Sequence, residues 1–342
     1  MLLNIYSDII SGKIENNSII DNSKEDRDIA ESFELVVINS SIYKLASAVS
    51  NILWSNVDYA NKFTTMTESM SKSSDEIIKY SSMYILNCLL NYDLDWASKI
   101  IIELFSNDCI YGYRSNRNIF NYIYAKKSNL RDKIIKIILY GVTINSKEIR
   151  RLFSYLMVDF YLFYDEFKDE LLNSKNDIII KDSIMEMFMV YMKEDEYREK
   201  SKDIIIELSK YPDVKINPYK LFDDEELLLN DDKFIIELFQ SSDSQEFIEP
   251  FIYLLRKRGD NILGYSELLF DIIRIALEQY DENNPTHYYS YDDLNYIVIM
   301  LFDYAYDNNN KEMLIKCLDI WDEMFSKQIG LIRKLSKDIS EI

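Results

Sequence analysis

Apolar residues recur along this chain at the spacing of one helix face. Near the carboxyl end, Leu294, Ile297, Val298, Leu301, Tyr304 and Ala305 fall at i, i+3, i+4, i+7, i+10 and i+11, a period that gathers side chains on one stripe of an α-helix. The template returns in Leu314, Cys317, Leu318, Trp321, Met324 and Phe325, with only Asp307-Asn308-Asn309-Asn310 as the polar run between. So short a link predicts two antiparallel helices packed stripe to stripe. Further stripes run through Ile77, Ile78, Tyr84, Ile85, Cys88 and Leu89, then Trp96, Ile100, Ile101, Leu104 and Phe105, then Ile149, Leu152, Phe153, Leu156 and Phe160.

Helix starts are expected at Ser73-x-x-Glu76, Asn145-x-x-Glu148, Asp243-x-x-Glu246 and Asn309-x-x-Glu312, pairs able to satisfy the free amides of a first turn. The spacing predicts helices over 41–55, 75–91, 94–106, 146–162, 222–239, 311–326 and 329–339, among others. Helix pairs recurring at roughly 35 to 45 residues mark solenoids. The fold expected is therefore all-α: an irregular α-solenoid of antiparallel helix pairs, a HEAT-like or ARM-like superhelix. One array over 1–342 is expected, with a bend or sub-domain break near 211–232, where Pro212, Pro218 and Asp223-Asp224-Glu225-Glu226 interrupt the pattern.

Composition strengthens this picture by what it lacks. Six Gly and four Pro in 342 residues are too few for the turns of a sheet protein or the phosphate loops of a dinucleotide fold. Hydrophobic residues make up 48% of the chain, enough to build a core. Fifty-nine acidic against 39 basic side chains leave a net charge of −20, which opposes whole-surface attraction to nucleic acid or anionic lipid. Cys88, Cys109 and Cys317 are far apart and read as small hydrophobes in a reducing compartment. The longest uncharged runs, Leu45–Val57 and Tyr80–Tyr92, are 13 residues each, short of the roughly 18 to 20 a membrane-spanning helix needs. With no secretory pattern at the amino terminus, a cytoplasmic protein with no membrane partner is expected.

Candidate chemistry is sparse. The single histidine, His287, stands in a predicted loop, where capping or solvation is its ordinary role; a histidine-based triad could use nothing else, and the same count excludes a zinc site of clustered Cys and His. Gly12-Lys13 is followed by Ile14 and lacks the upstream glycine of a P-loop. Asp213, Asp231 and Lys233 loosely match the carboxylate-and-lysine set of metal-dependent nucleases, but Asp231 and Lys233 open a helical stripe through Phe234, Ile235 and Leu238. No catalytic residue, metal or cofactor is expected, and a nuclease-like enzyme stands as the least favoured alternative.

Charge is segregated. From Arg114 to Arg151 ten basic residues face two acidic ones, Asp132 and Glu148, whereas 151–250 carries an acidic excess. Tyr113, Arg114, Arg117, Lys126, Lys127, Arg131, Lys133, Arg150 and Arg151 are the candidate interaction surface, facing an acidic protein or, alternatively, nucleic acid. Neutralisation by the acidic stretch, or mere solvation of helix faces, is the simpler account of the same run.

Three segments carry a family resemblance: Ser74-Asp75-Glu76-Ile77-Ile78-Lys79-Tyr80, the loop Gly112-Tyr113-Arg114-Ser115, and Lys316-Cys317-Leu318-Asp319-Ile320-Trp321-Asp322-Glu323-Met324-Phe325. From Ser73 onward the chain resembles the carboxyl-terminal helical-repeat region of bacterial STAND (NACHT-like) NTPases. The resemblance implies a sensor or regulatory role in anti-phage defence, with a viral protein or a neighbouring NTPase or effector as partner. The NTPase core and effector domain of that family have no counterpart in this sequence.

Overall fold

The computed structural model describes residues 1–11, 29–106, 117–173, 177–211, 214, 216, 221, 231–241, 245–280, 287–327 and 329. Those residues form helices, short 3-10 turns and their links, with no strand among them. The fold is all-α. It divides into two compact units, Met1–Phe167 and Lys168–Ile342. The stretch 211–232, where a bend was expected, lies mostly outside the described residues, as does the predicted helix 329–339.

The first unit comprises α1 (Leu2–Ile10), α2 (Ile29–Asn39), α3 (Ser41–Ser55), α4 (Ala60–Ser71), α5 (Glu76–Leu89), α6 (Leu94–Phe105), α7 (Arg117–Lys126), α8 (Arg131–Gly141) and α9 (Lys147–Tyr164). Helix α5 is its centre and packs on α2, α3, α4 and α6; further on, α6 meets α8, and α7, α8 and α9 pack on one another. Its uncharged run of Tyr80 to Tyr92 explains this position, since Tyr80, Met83, Ile85, Leu86, Cys88 and Leu89 point to more than one side and are all buried. Most neighbours are one or two helices apart, but α2 also meets α9 at the far end of the unit.

Caps place the helix starts, and they sit one or two residues beyond the boxes expected from sequence. Asp75, not Ser73, accepts from the amides of Ile77 and Ile78 at 2.8 and 3.3 Å, while Ser73 holds the amide of Asp75 at 3.1 Å. Ser146, not Asn145, caps α9 through the amide of Ile149 at 3.2 Å. Asp243 lies outside the described residues. In each resolved case the side chain nearest the first free amides displaces the candidate further upstream.

The second unit comprises α10 (Lys168–Asn173), α11 (Ile178–Tyr191), α12 (Arg198–Ser209), α13 (Asp232–Ser241), α14 (Gln245–Arg258), α15 (Ser266–Glu278), α16 (His287–Asp307) and α17 (Lys311–Ser326). The Ile178-Ile179-Ile180 run is helical, capped by Asp177. One series of contacts steps from α12 to α13 to α15 to α17; others join α14 to α16 and α16 to α17. The last pair is the predicted hairpin. Asn309 takes the left-handed conformation, φ 51°, that ends a helix, and Asn310 caps α17 through the amide of Met313 at 3.1 Å. The buried stripe of α17 is Met313, Cys317, Ile320 and Met324, with Leu318 and Phe325 half exposed. It is rotated from the stripe read in the sequence, and Trp321, only half-buried, donates from Nε1 to Asn295 of α16 at 3.1 Å.

One arrangement recurs at three places among the described residues of this unit. A cation on one helix holds an acid on its neighbour and sits over the aromatic ring three residues after that acid, the spacing that puts both on one helix face. Lys202 of α12 pairs with Asp231 and lies 5.9 Å from the Phe234 ring centroid. Arg256 of α14 pairs with Asp293 and lies 5.0 Å from that of Tyr296. Lys316 of α17 pairs with Glu267 at 2.8 Å and lies 5.6 Å from that of Phe270.

Magnitudes divide the labour between these clamps and the core. A solvent-exposed ion pair contributes about 0 to 1 kcal/mol, and in partly buried pairs such as these desolvation offsets much of the added attraction, whereas each fully buried Phe contributes roughly 1.5 to 3 kcal/mol. Tyr80, Phe105, Phe120, Phe153 and Phe160 fill the first unit, and Phe188, Phe239, Phe251 and Phe270 the second. Burial holds the helices together; the clamps fix which turn of one helix faces which turn of the next.

Candidate interaction surface

Among the described residues, the cations of the run from Arg114 to Arg151 do not gather on one surface. Tyr113 and Arg114 lie outside the described residues; Arg117 opens α7 and its side chain is not among those described. Lys127 is mostly buried and pairs with Asp95 of α6 at 2.5 Å. Arg131 donates from Nε to the Tyr124 carbonyl at 3.1 Å, with its guanidinium 4.8 Å from the Tyr124 ring centroid, and so ties α8 to α7. Arg150 is half-buried and partnered. Arg151 pairs with Glu148 at 3.2 Å and lies over Tyr155. Among the described side chains of the candidate lysines and arginines, only Lys126 and Lys133 are exposed without such a tie.

Lys133 belongs instead to a composite site. Helices α6 and α8 leave a groove of about 460 Å³ between them. Its floor is apolar: Ile102, Leu130 and Ile137 are almost fully buried, and Tyr140, 53% exposed, closes one end. Lys133 and Lys136 rise from α8, and Lys99 with Glu103 from α6. Among the described residues none of the three lysines is held in an ion pair. Lys99 and Glu103 also border a second cavity of about 430 Å³, where Lys72, Lys79 and Trp96 line the space toward α4. Two grooves thus flank one ridge.

Lys99 was not legible as part of this surface, since nothing in sequence links it to a run beginning fifteen positions later. Its signal is faint: α6 carries one lysine on its polar face, and packing against α8 sets that face beside Lys133 and Lys136. The apolar floor was legible only as helix core.

On α7, Tyr124 donates to Glu166 at 2.5 Å and packs on Phe160 and Tyr164. Burial pushes the Tyr124 hydroxyl up to about 12, reinforced by the Glu166 carboxylate beside it. This cluster is structural.

The nuclease-like set is placed as follows. Asp231 accepts from the Phe234 amide at 3.2 Å with one oxygen and holds Lys202 with the other. Lys233 is 87% exposed and lies 3.7 Å from Glu237. Asp213 is outside the described residues, as is the side chain of His287. Among the described residues no three His, Cys, Asp or Glu side chains are grouped to hold a metal ion, and no helix is long and apolar enough to cross a membrane. No family model, curated protein or solved structure matches this chain.

Proposed function

We propose that this chain is a non-enzymatic scaffold of the HEAT-like or ARM-like kind, an irregular solenoid of antiparallel helix pairs that binds a protein partner. The observation that carries the reading is the α6 ridge, flanked by two grooves, where among the described residues Lys99, Lys133 and Lys136 are held in no ion pair. Scaffolds built from stacked helices recognise partners through such rows and grooves and need no enclosed pocket. The stepwise contacts of α12, α13, α15 and α17, with their repeated clamps, support a repeat origin; the α2 to α9 contact makes the first unit more closed than a neighbour-only array. The setting in anti-phage defence, with an NTPase, effector or viral protein as partner, rests on the family resemblance.

A photocrosslinking residue in place of Tyr140, in the native cell, tests this. A single discrete protein adduct supports the scaffold; adducts with nucleic acid overturn it in favour of a nucleic-acid-binding repeat. That alternative uses the basic 114–151 segment, of which Lys126, Lys133 and Lys136 are exposed lysines. It requires affinity for labelled DNA or RNA that falls steeply with salt and whose salt slope shrinks when those lysines are reversed.

A further inference from the structure

We infer that the groove between α6 and α8 receives an acidic amphipathic helix of the partner protein, its apolar side on the floor and its carboxylates against Lys99, Lys133 and Lys136. This inference rests on the scaffold reading and specifies the partner's chemistry.

Three features of the groove select this occupant. The first is length. From Leu130, the residue before α8, to Tyr140 is a rise of ten residue steps, about 15 Å at 1.5 Å per residue, which accommodates apolar anchors at i, i+4 and i+7. The second is the floor. Ile102, Leu130 and Ile137 are aliphatic, suited to Leu-type anchors, whereas a single-stranded nucleic acid needs successive aromatic platforms and would find one ring, Tyr140. The third is charge. Three lysines against Glu103 leave two net positive charges here on a chain of net −20. An acidic partner is repelled by most of the molecule and steered to this place. Glu103 would repel a phosphate backbone lying along the ridge, yet a helix can set a basic or polar residue against it.

The test uses the full chain and a fluorescein-labelled synthetic helix of about four turns, with Leu at i, i+4 and i+7 and Glu on both flanks. Fluorescence anisotropy should show saturable binding that rising salt weakens without abolishing. A scrambled peptide of the same composition should bind about ten-fold more weakly, and Lys133→Glu with Lys136→Glu should lower affinity by about ten-fold or more. Lys99→Glu on the other wall and Tyr140→Ala should each weaken it several-fold, and circular dichroism checks that every variant keeps its helices. Equal binding of ordered and scrambled peptides, or indifference to reversal on both walls, overturns the inference. Absence of peptide binding alongside a protein crosslink from another face overturns the groove assignment and leaves the scaffold standing. Displacement of the peptide by a thymidine oligonucleotide overturns both.

Discussion

Lys202 and Asp231 are 29 residues apart and form an ion pair that fixes the start of α13 against α12. Asp231 does two things at once, since one carboxylate oxygen takes the ammonium and the other takes the Phe234 amide. Burial of Lys202 disfavours its charge, but Asp231 and Glu199 outweigh that and raise its pKa.

Removing Asp231 should therefore cost more than removing a cap. Asp231→Ala should destabilise by about 2 kcal/mol, about half from the lost cap and the rest from leaving a mostly buried ammonium without its main partner. Asp231→Asn keeps a capping oxygen and should cost about half as much. Urea midpoints measure both. Equal losses for Ala and Asn would show that capping contributes nothing here.

Gly141 ends α8 with its Cα against the ring of Phe153 in α9, and a Cβ added there would overlap that ring. Phe153 is fully buried and has no room to withdraw. Gly141→Ala should lower stability by about 1 to 3 kcal/mol despite the better helix propensity of alanine. A stabilised protein, read by thermal melting, would mean that α8 and α9 pack differently.

Cys88 and Cys317 are both buried. Burial pushes the Cys317 thiol up to about 11 and also raises Cys88, which lies 3.0 Å from Ser50. The thiolate is the reactive form, so in a Cys109→Ser background neither should react with Ellman's reagent in native buffer and both should react in urea. Rapid labelling of the native protein would contradict this packing.

Tyr124 should make the fold sensitive to alkali. Its hydroxyl ionises near 12 in the folded chain against about 10 when unfolded. Between those values the unfolded chain sheds a proton that the folded one keeps, so stability falls as pH rises. Tyr124→Phe should cost about 1 kcal/mol at pH 8 through the lost bond to Glu166, and the gap to the parent should narrow by pH 11. A constant gap in urea midpoints across that range would refute the assignment.

Helix positions were largely legible because burial imposes a period on each segment independently. Helix α3 runs over 41–55 and α17 over 311–326, as the stripes predict. Legibility failed wherever a second segment chose between near-equivalent solutions. Asp75 and Ser73 are both plausible caps. Leu318 and Ile320 could each belong to the buried stripe of α17, and the position of α16 decides for Ile320.

The sequence by itself determined that this protein is helical and that its basic residues cluster in one region, since periodicity and charge are properties of neighbours along a chain. Only the tertiary structure decided which cations remain available. Lys127, Arg131 and Arg151 are taken up by Asp95, Tyr124 and Glu148, while Lys99 crosses over to join Lys133 and Lys136 beside an aliphatic floor. Coulomb attraction and apolar contact act through space over a few ångströms, and residues that far apart in sequence become neighbours only when helices pack.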